Sequence, residues 1–319
     1  MNGPRPSLRS RAREGTPDAA VSVRVPATSA NLGPAFDCAG LALTRYDVLE
    51  FAVLPSGLEV SVSGIGAGQL PTDESHLVVR AFRAACDQLG WTPPGLRVVA
   101  DNDIPQGRGM GSSAAAVVAG VVGAWALCPD VDDVDTDAVL RLTSELEGHP
   151  DNVAPCLLGG ATLSWTGDGG ARAVRLDVDA AVRPVVLVPE GTLSTHVARG
   201  LLPDVVPHAD AAFNTARSAL LVHALTTDPA LLFEATDDRL HQHPRAAAMP
   251  ETLALIDRLR EHGHAAVVSG AGPSVLVLGP AGAGADVAAL TPAGWTALTL
   301  EVDAAGAEVL VGVPEVSSR

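Results

Sequence analysis

The segment Ile104-Pro105-Gln106-Gly107-Arg108-Gly109-Met110-Gly111-Ser112-Ser113-Ala114-Ala115-Ala116 constrains this chain more than any other, because it runs directly into the apolar stretch Val117 to Leu127. Glycine at alternate positions from 107 to 111 opens backbone conformations closed to residues with a Cβ, and lets N–H groups approach a ligand. The apolar run behind it reads as a helix, so the loop lies at a helix start, where unpaired N–H donors meet the positive end of the macrodipole. That combination suits an anion. A phosphate beside Ser112 and Ser113 would be held by both effects, and the serine hydroxyls are free to cap the helix or to bind a metal.

The 21 Lys+Arg residues are all arginine, for the chain contains no lysine. A Walker-type phosphate loop needs Lys after its last glycine, where this chain has Ser112, and the G-x-G-x-x-G dinucleotide fingerprint does not match the spacing of Gly107, Gly109 and Gly111 either. Taken alone, G-x-G-x-G reads equally well as a tight turn before a buried helix. Pro105 ahead of it and Ser-Ser-Ala-Ala behind it favour a phosphate loop.

A formal net charge of −16 argues against non-specific binding to nucleic acid or to an anionic membrane, since phosphate backbones need neutralising cations. An anionic substrate is then held locally, by loop N–H groups, a metal ion or a few arginines. With 47% hydrophobic but only 3% aromatic residues, the core is expected to be built of Ala, Val and Leu. Cys38, Cys86, Cys128 and Cys156 are scattered without metal-binding or disulfide-scaffold spacing and read as reduced core residues. No apolar run reaches the roughly 18 residues of a membrane helix. Residues 1–19, with Arg5, Arg9, Arg11 and Arg13 among Pro, Ser and Gly, read as a disordered tail and not as a signal peptide, so a cytoplasmic protein is expected.

Along the chain, Val21 to Val25 alternates as a strand and leads into a polar loop, Pro26 to Asp37. Asp47 to Leu54 and Leu58 to Ser63 read as a strand pair joined at Pro55-Ser-Gly57. Glu74 to Leu89 has helical spacing and stops at Gly90, and Gly95 to Ala100 is a strand feeding the glycine-rich loop. Asp135 or Thr136 caps a helix running to about Glu147 and stopping at Gly148. His149 to Pro155 reads as a second polar corner, followed by a strand from Ala161 to Trp165. The second half reads as a strand from Val185 to Val188 and a helix capped by Ser194 that carries Thr195 and Arg199. Helices follow over Asp210–Leu225, Pro229–Arg239 and Glu251–His262, with His241 to Arg245 as a polar link. Strands over Ala265–Ser269, Ser274–Leu278, Trp295–Val302 and Glu308–Val311 close the chain. The mixture is α+β, with a domain boundary near residue 180.

Pro105-x-x-x-Gly109-Met110-Gly111-Ser112-Ser113-Ala114-Ala115 resembles the phosphate loop of the GHMP kinases, a family that takes in galactokinase, mevalonate kinase, homoserine kinase and diphosphocytidyl-methylerythritol kinase. Five further segments stand in the family's order along the chain and are similar to those of its homoserine-phosphorylating branch. Pro26-Ala-Thr-Ser-Ala-Asn31-Leu-Gly-Pro-Ala-Phe-Asp37 resembles the N-terminal motif, with Ala35 where the branch usually has Gly. Glu147-Gly-His149-Pro-Asp-Asn152-Val-Ala-Pro155 resembles the central one. Ser194-Thr195-x-x-x-Arg199 with His241-Gln242-x-x-Arg245, and Ser269-Gly-Ala-Gly-Pro-Ser274, resemble the later substrate-binding and glycine motifs. The likeness spans roughly residues 21 to 280.

The resemblance implies a two-domain GHMP kinase fold, an N-terminal ribosomal protein S5 domain 2-like unit and a C-terminal ferredoxin-like α/β sandwich. Residues 20–180 would bind nucleotide and residues 181–319 would form the C-terminal domain. It implies ATP and Mg²⁺, with Pro105, Gln106, Gly107, Arg108, Gly109, Met110, Gly111, Ser112, Ser113 and Ala114 around the nucleotide, and Ser113 and Glu147 on the metal, Glu145 being the alternative carboxylate. Arg108 is expected to face solvent or to lie near nucleotide phosphate. Arg199 and Arg245 would grip an acceptor carboxylate, since a planar guanidinium matches it in two prongs. Asn31, Asp37 and Asn152 would hold its amino group and hydroxyl, with His149 and Thr195 lining the pocket. Asn152 stands where some relatives have an aspartate base, so Asn152 and Asp37 are the candidate catalytic residues and no true general base is expected. The implied reaction is phosphorylation of L-homoserine, a step of threonine biosynthesis, by a protein whose assembly as a homodimer is one option. Two alternatives stay open: a GHMP kinase acting on mevalonate or a sugar, and a non-catalytic ligand sensor on the same fold. The pairs His241-x-His243 and His262-x-His264 are weak candidates for zinc.

Overall fold

The computed structural model describes residues 20–280 and 282–310; the expected N-terminal tail and Val311 lie outside them. Strand β1 (Ala20–Ala30) begins as its alternation predicts, with Val21, Val23 and Val25 buried between half-buried Ser22 and Arg24. It continues five residues into the stretch read as a polar loop. Pro26 has no N–H to give to a ladder, and the register against β2 (Ala39–Leu54) shifts between Pro26 and Ala27, where an irregularity absorbs that loss. Thr28 and Ser29 are therefore buried strand residues.

β2 is long enough to serve two neighbours on its other edge, β4 (Gly95–Asn102) near its C-terminal end and β5 (Ala161–Gly167) at its start. The pair expected at Pro55-Ser-Gly57 is not a hairpin. β3 (Gly57–Gly64) pairs in parallel with β4, which lies between it and β2, after a crossover through α1 (Leu77–Leu89). None of β3's residues is buried, as suits a sheet edge. With β6 (Gly170–Leu176) on β5 and β11 (Glu308–Leu310) on β1, the first sheet has seven strands.

α2 (Ser112–Leu127) is buried nearly all round beneath this sheet, between α1 and α3 (Thr136–Glu147). The ends of these helices are those the sequence marks: Gly90 and Gly148 stop α1 and α3 in the left-handed conformation, and the Asp135 carboxylate accepts from the Asp137 and Ala138 N–H groups. The corner expected at His149 to Pro155 is instead helix α4 (Pro150–Leu158), which buries Val153, Ala154, Cys156 and Leu157. Pro150 sits at its first position, where no N–H is needed, so what reads as a turn signal starts a helix.

The second sheet is antiparallel in the order β10-β7-β9-β8, from β7 (Arg183–Pro189), β8 (Ala265–Val268), β9 (Val275–Gly279) and β10 (Trp295–Thr299). With α8 (Pro250–Glu261) and α9 (Ala283–Leu290) as crossovers it is a β-α-β-β-α-β unit. β6 and α9 have no counterpart in the sequence reading, since each offers little apolar pattern, with Ala171 and Val287 their only buried residues. Between β7 and α8 run α5 (Thr195–Arg199), α6 (His208–Thr226) and α7 (Leu232–Ala235), the last preceded by a 3-10 turn at Pro229–Leu231. The helix expected to reach Arg239 stops early, because Asp238 takes over the following backbone N–H groups. The link His241 to Arg245 is not a surface segment: His241 and Arg245 are 0% and 1% exposed. One core runs from the first sheet through Leu221 and Leu225 of α6 to Leu276 of β9.

Candidate active site

The glycine-rich loop is fastened at its entry by Asp47, whose Oδ1 accepts the N–H groups of Asp103 and Ile104 at 2.7 and 2.9 Å. Gly107, Gly109 and Gly111 take φ of +64°, +71° and +70°. Space, as well as conformation, demands glycine here. A Cβ on Gly109 would lie 2.1 Å from the Ser269 carbonyl oxygen, and one on Gly111 1.9 Å from Thr28 Oγ1. The loop is thus wedged between β1 and the β8–β9 turn. The Ser269 hydroxyl bridges the Gly109 carbonyl (2.6 Å) and the Ser29 hydroxyl (2.8 Å), and the Thr28 N–H donates to the Met110 carbonyl (3.1 Å).

Gly111 caps α2 without a side-chain acceptor, so the first-turn N–H groups from Ser112 onward stay available to an anion. The N-termini of α4 and α5 likewise have no side-chain cap, and all three border one cleft. The Arg108 guanidinium is turned away from it. Its Nε, Nη1 and Nη2 donate to the carbonyls of Pro189, Gln106 and Glu190 at 3.0, 3.2 and 2.7 Å.

Across the cleft, Asn31, Leu32 and Asp37 are the non-glycine residues at positive φ (71°, 46° and 56°) among the described residues. The strain is held by many partners. Asn31 Oδ1 accepts the Asp37 N–H (3.0 Å) while its Nδ2 donates to the Gly270 carbonyl (2.9 Å). Asn214 and Ser218 of α6 donate to the Pro34 carbonyl (3.2 and 2.9 Å), and His241 Nε2 lies 2.8 Å from the Gly33 carbonyl. Ala35 has no positive φ, so alanine fits where the resemblance led to glycine.

Asp37 and Arg199 form a two-pronged ion pair at 2.9 and 2.6 Å, which raises the guanidinium's already high pKa. Arg245 is buried without a carboxylate partner among the described residues: Nε donates to the Ala198 carbonyl (3.3 Å) and Nη1 to His241 Nδ1 (3.1 Å), and burial, with neighbouring Arg199, presses its pKa down. Arg199 Nε is buried with no acceptor. Both guanidiniums flank the Phe36 ring, at 5.6 and 5.3 Å.

On the side of α2, the Ser113 hydroxyl donates to Glu147 Oε2 at 2.8 Å. Burial raises the Glu147 pKa, against the opposing effect of that hydrogen bond. The pair fits Mg²⁺, which takes hard oxygens from one or two side chains and completes its shell with phosphate and water. His149 Nδ1 lies 2.6 Å from Oδ1 of buried Asp151; burial would lower the imidazole's pKa, but the carboxylate outweighs it and raises it. The Thr28 hydroxyl donates to Asn152 Oδ1 at 2.8 Å, leaving the amide N–H₂ of Asn152 as its donor end.

Of the residues named from sequence, Asn31, Pro105, Gly107, Gly109, Met110, Gly111, Ser112, Ser113, Glu147, His149, Asn152, Thr195, Arg199 and Arg245 line this cleft. Asp37 reaches it through Arg199, while Gln106, Arg108 and Ala114 do not border it. Glu145 is exposed on α3. Thr28, Phe36 and Asp151 carry no role in the sequence reading, and His241 figures there only in a substrate-binding motif and as half of a zinc pair. Each lies inside a quoted motif, but what it touches is remote in sequence. His241 and His243 are not a metal pair, the first being buried and the second exposed.

The model of the GHMP kinases N terminal domain matches residues 76–160, and that of the GHMP kinases C terminal matches residues 217–292. Homoserine kinase of Streptomyces avermitilis is 55% identical over 293 residues, covering 92% of this chain and 96% of that protein. Homoserine kinase of Clavibacter michiganensis is 54% identical, with coverage of 91% and 94%. The crystal structure of homoserine kinase from Cytophaga hutchinsonii superposes with a TM-score of 0.81 at 25% identity, over 94% of this chain and 100% of that one. With its glycine-rich loop, its two sheets and relatives alike over nearly their whole length, the chain belongs to the homoserine kinase branch of the GHMP kinase family.

Proposed function

We propose that the protein transfers the γ-phosphoryl group of ATP to the side-chain hydroxyl of L-homoserine, the activity its relatives are named for and a step of threonine biosynthesis. The observation that carries the choice of acceptor is the buried Arg245 guanidinium, which has no carboxylate partner among the described residues and lies beside Arg199 at the cleft that the uncapped α2 N-terminus borders. Such a cation calls for an anion with two oxygens in a plane, and an amino acid's carboxylate supplies one. Asp37 and Arg199 neutralise each other, and a zwitterion offers each of them the opposite charge. In this reading residues 20–180 hold the nucleotide and residues 181–319 bring Thr195, Arg199 and Arg245 to the acceptor.

The acceptor oxygen forms a bond to the γ-phosphorus as the bond from that phosphorus to the leaving ADP oxygen breaks. The protein's part is positioning and charge stabilisation. The α2 N–H groups bind phosphate oxygens, and Asn152 orients the hydroxyl. A carboxamide cannot take a proton, and Asp151 is committed to His149, so the hydroxyl gives up its proton late, to a phosphoryl oxygen. Mg²⁺, held by Ser113 and Glu147, supplies neutralisation of phosphate charge when bound. A cytoplasmic location accords with four unpaired cysteines, and no helix among the described residues is long and apolar enough to cross a membrane.

A coupled ADP-release assay with homoserine, mevalonate, galactose and no acceptor tests the reading. Turnover with homoserine alone is expected. Preferred turnover with mevalonate or galactose would transfer the enzyme to that substrate, and binding of homoserine without turnover would make it a sensor.

A further inference from the structure

His241 is wholly buried, takes no part in the chemistry above and has both ring nitrogens engaged. The carbonyl of Gly33, 2.8 Å from Nε2, can only accept, so Nε2 carries the hydrogen. Nδ1 of the neutral ring then presents a lone pair, and what faces it at 3.1 Å is Nη1 of Arg245, which can only donate. Asp238 does not compete for the ring. Its Oδ1 accepts from Asn214 Nδ2 and the Leu240 N–H, its Oδ2 accepts the N–H groups of His241 and Gln242, and Nε2 stands off at 3.9 Å.

We infer that His241 is a positioning residue, a neutral acceptor that sets the orientation of the Arg245 guanidinium without neutralising it. A carboxylate in its place would anchor the arginine equally well and cancel the charge meant for the acceptor. The neutral imidazole anchors and leaves that charge intact. The chain of contacts also has reach: Gly33 belongs to the loop that carries Asn31 and Asp37, and Arg245 Nε donates to the Ala198 carbonyl, one residue before Arg199. His241 thus ties the polar loop after β1 to the arginines of the C-terminal half. The inference rests on the reading that Arg245 takes the acceptor's carboxylate.

The two nitrogens can be tested apart. Asn at 241 places an oxygen near the Nδ1 position and keeps the acceptor for Arg245, whereas Gln places an amide near Nε2 and keeps only the donor to Gly33. Kinetics with homoserine and with the corresponding amino alcohol, which lacks the carboxylate, are measured for the parent, His241→Asn, His241→Gln and Arg245→Ala. His241→Gln should raise KM for homoserine at least about tenfold with kcat and KM for ATP within about threefold, and should lose most of the preference for homoserine over the amino alcohol. His241→Asn should keep that preference. Full preference in a folded His241→Gln enzyme overturns the inference, as does its loss in a folded His241→Asn enzyme, so either variant decides if the other fails to fold. Should Arg245→Ala itself keep the preference, the carboxylate is read elsewhere and the assignment of Arg245 falls, taking His241 with it. Loss in Arg245→Ala without loss in His241→Gln removes His241 alone.

Discussion

Glu147 faces a conflict: burial raises its pKa, the adjacent C-terminal dipole opposes its charge, and among the described residues only the Ser113 hydroxyl is bonded to its carboxylate. A bound cation resolves that conflict. Glu147→Gln keeps the shape and removes the charge, so kcat is expected to fall by about a hundredfold, about 3 kcal/mol of transition-state stabilisation, together with the response to Mg²⁺. Near-normal kcat and Mg²⁺ dependence in that variant would contradict the assignment and turn attention to Glu145. Asp47 presents a different balance. Burial pushes its pKa up to about 6, with the N–H groups of Ile104 and Asp103 pulling the other way. The native state therefore holds the proton in a window, from about 3.8 to about 6, where the unfolded chain has released it. Stability from this group is complete below that window and lost as pH rises through it. Asp47→Asn keeps an acceptor oxygen for the loop entry without a buried charge. It should stabilise the protein at pH 8 by about 2–3 kcal/mol and by almost nothing at pH 4, as read by thermal melting. An equal effect at both pH values would rule this out.

Among the elements, the docking of the glycine-rich loop against the β8–β9 turn decides whether α2 can present its N-terminus. A Cβ at 109 meets a backbone carbonyl, which cannot swing aside as a side chain would. Gly109→Val is expected to abolish ATP binding in calorimetry. Arg108→Ala should cost far less, because that guanidinium serves the carbonyls of Pro189, Gln106 and Glu190 and not the cleft. Equal losses in the two variants would mean that a basic side chain, after all, carries the phosphate. At this scale the sequence was legible wherever the signal is local. The caps at Asp135, Gly90 and Gly148 act within a few residues, and the ends of α1 and α3 follow from them. It was illegible where a signal has two meanings. Pro150 reads as a turn and starts α4, and Pro26 reads as the end of a strand that in fact bulges and continues.

For the molecule as a whole, the decisive stitch is the return of the chain through residues 300 to 306. The Leu300 N–H donates to the Pro184 carbonyl in the second sheet, while Thr44 and Ala42 of the first exchange hydrogen bonds with Glu301 and Asp303. Buried Asp303 accepts from the Tyr46 hydroxyl at 2.8 Å and from the Gly306 N–H at 2.6 Å; burial and that bond push the Tyr46 pKa up to about 12. Asp303→Ala leaves these two donors and the Ala305 N–H without their acceptor and should destabilise the protein by about 2–4 kcal/mol. Because one core spans both sheets, the parent is expected to unfold in a single calorimetric transition. Two resolved transitions would show the halves to be energetically separate.

The residue types of the site, their order and the glycine loop at a helix start were determined by the sequence alone, because hydrogen-bonding inventory, backbone freedom and helix polarity belong to a residue and its near neighbours. Only the tertiary structure decided that β4 separates β2 from β3, that Asp37 pairs with an arginine 162 positions away, and that a polar-looking link buries Arg245 against His241. Those outcomes depend on which surfaces meet. A charged or polar side chain enters the interior only when distant groups satisfy it, and no local pattern encodes the arrival of a distant partner.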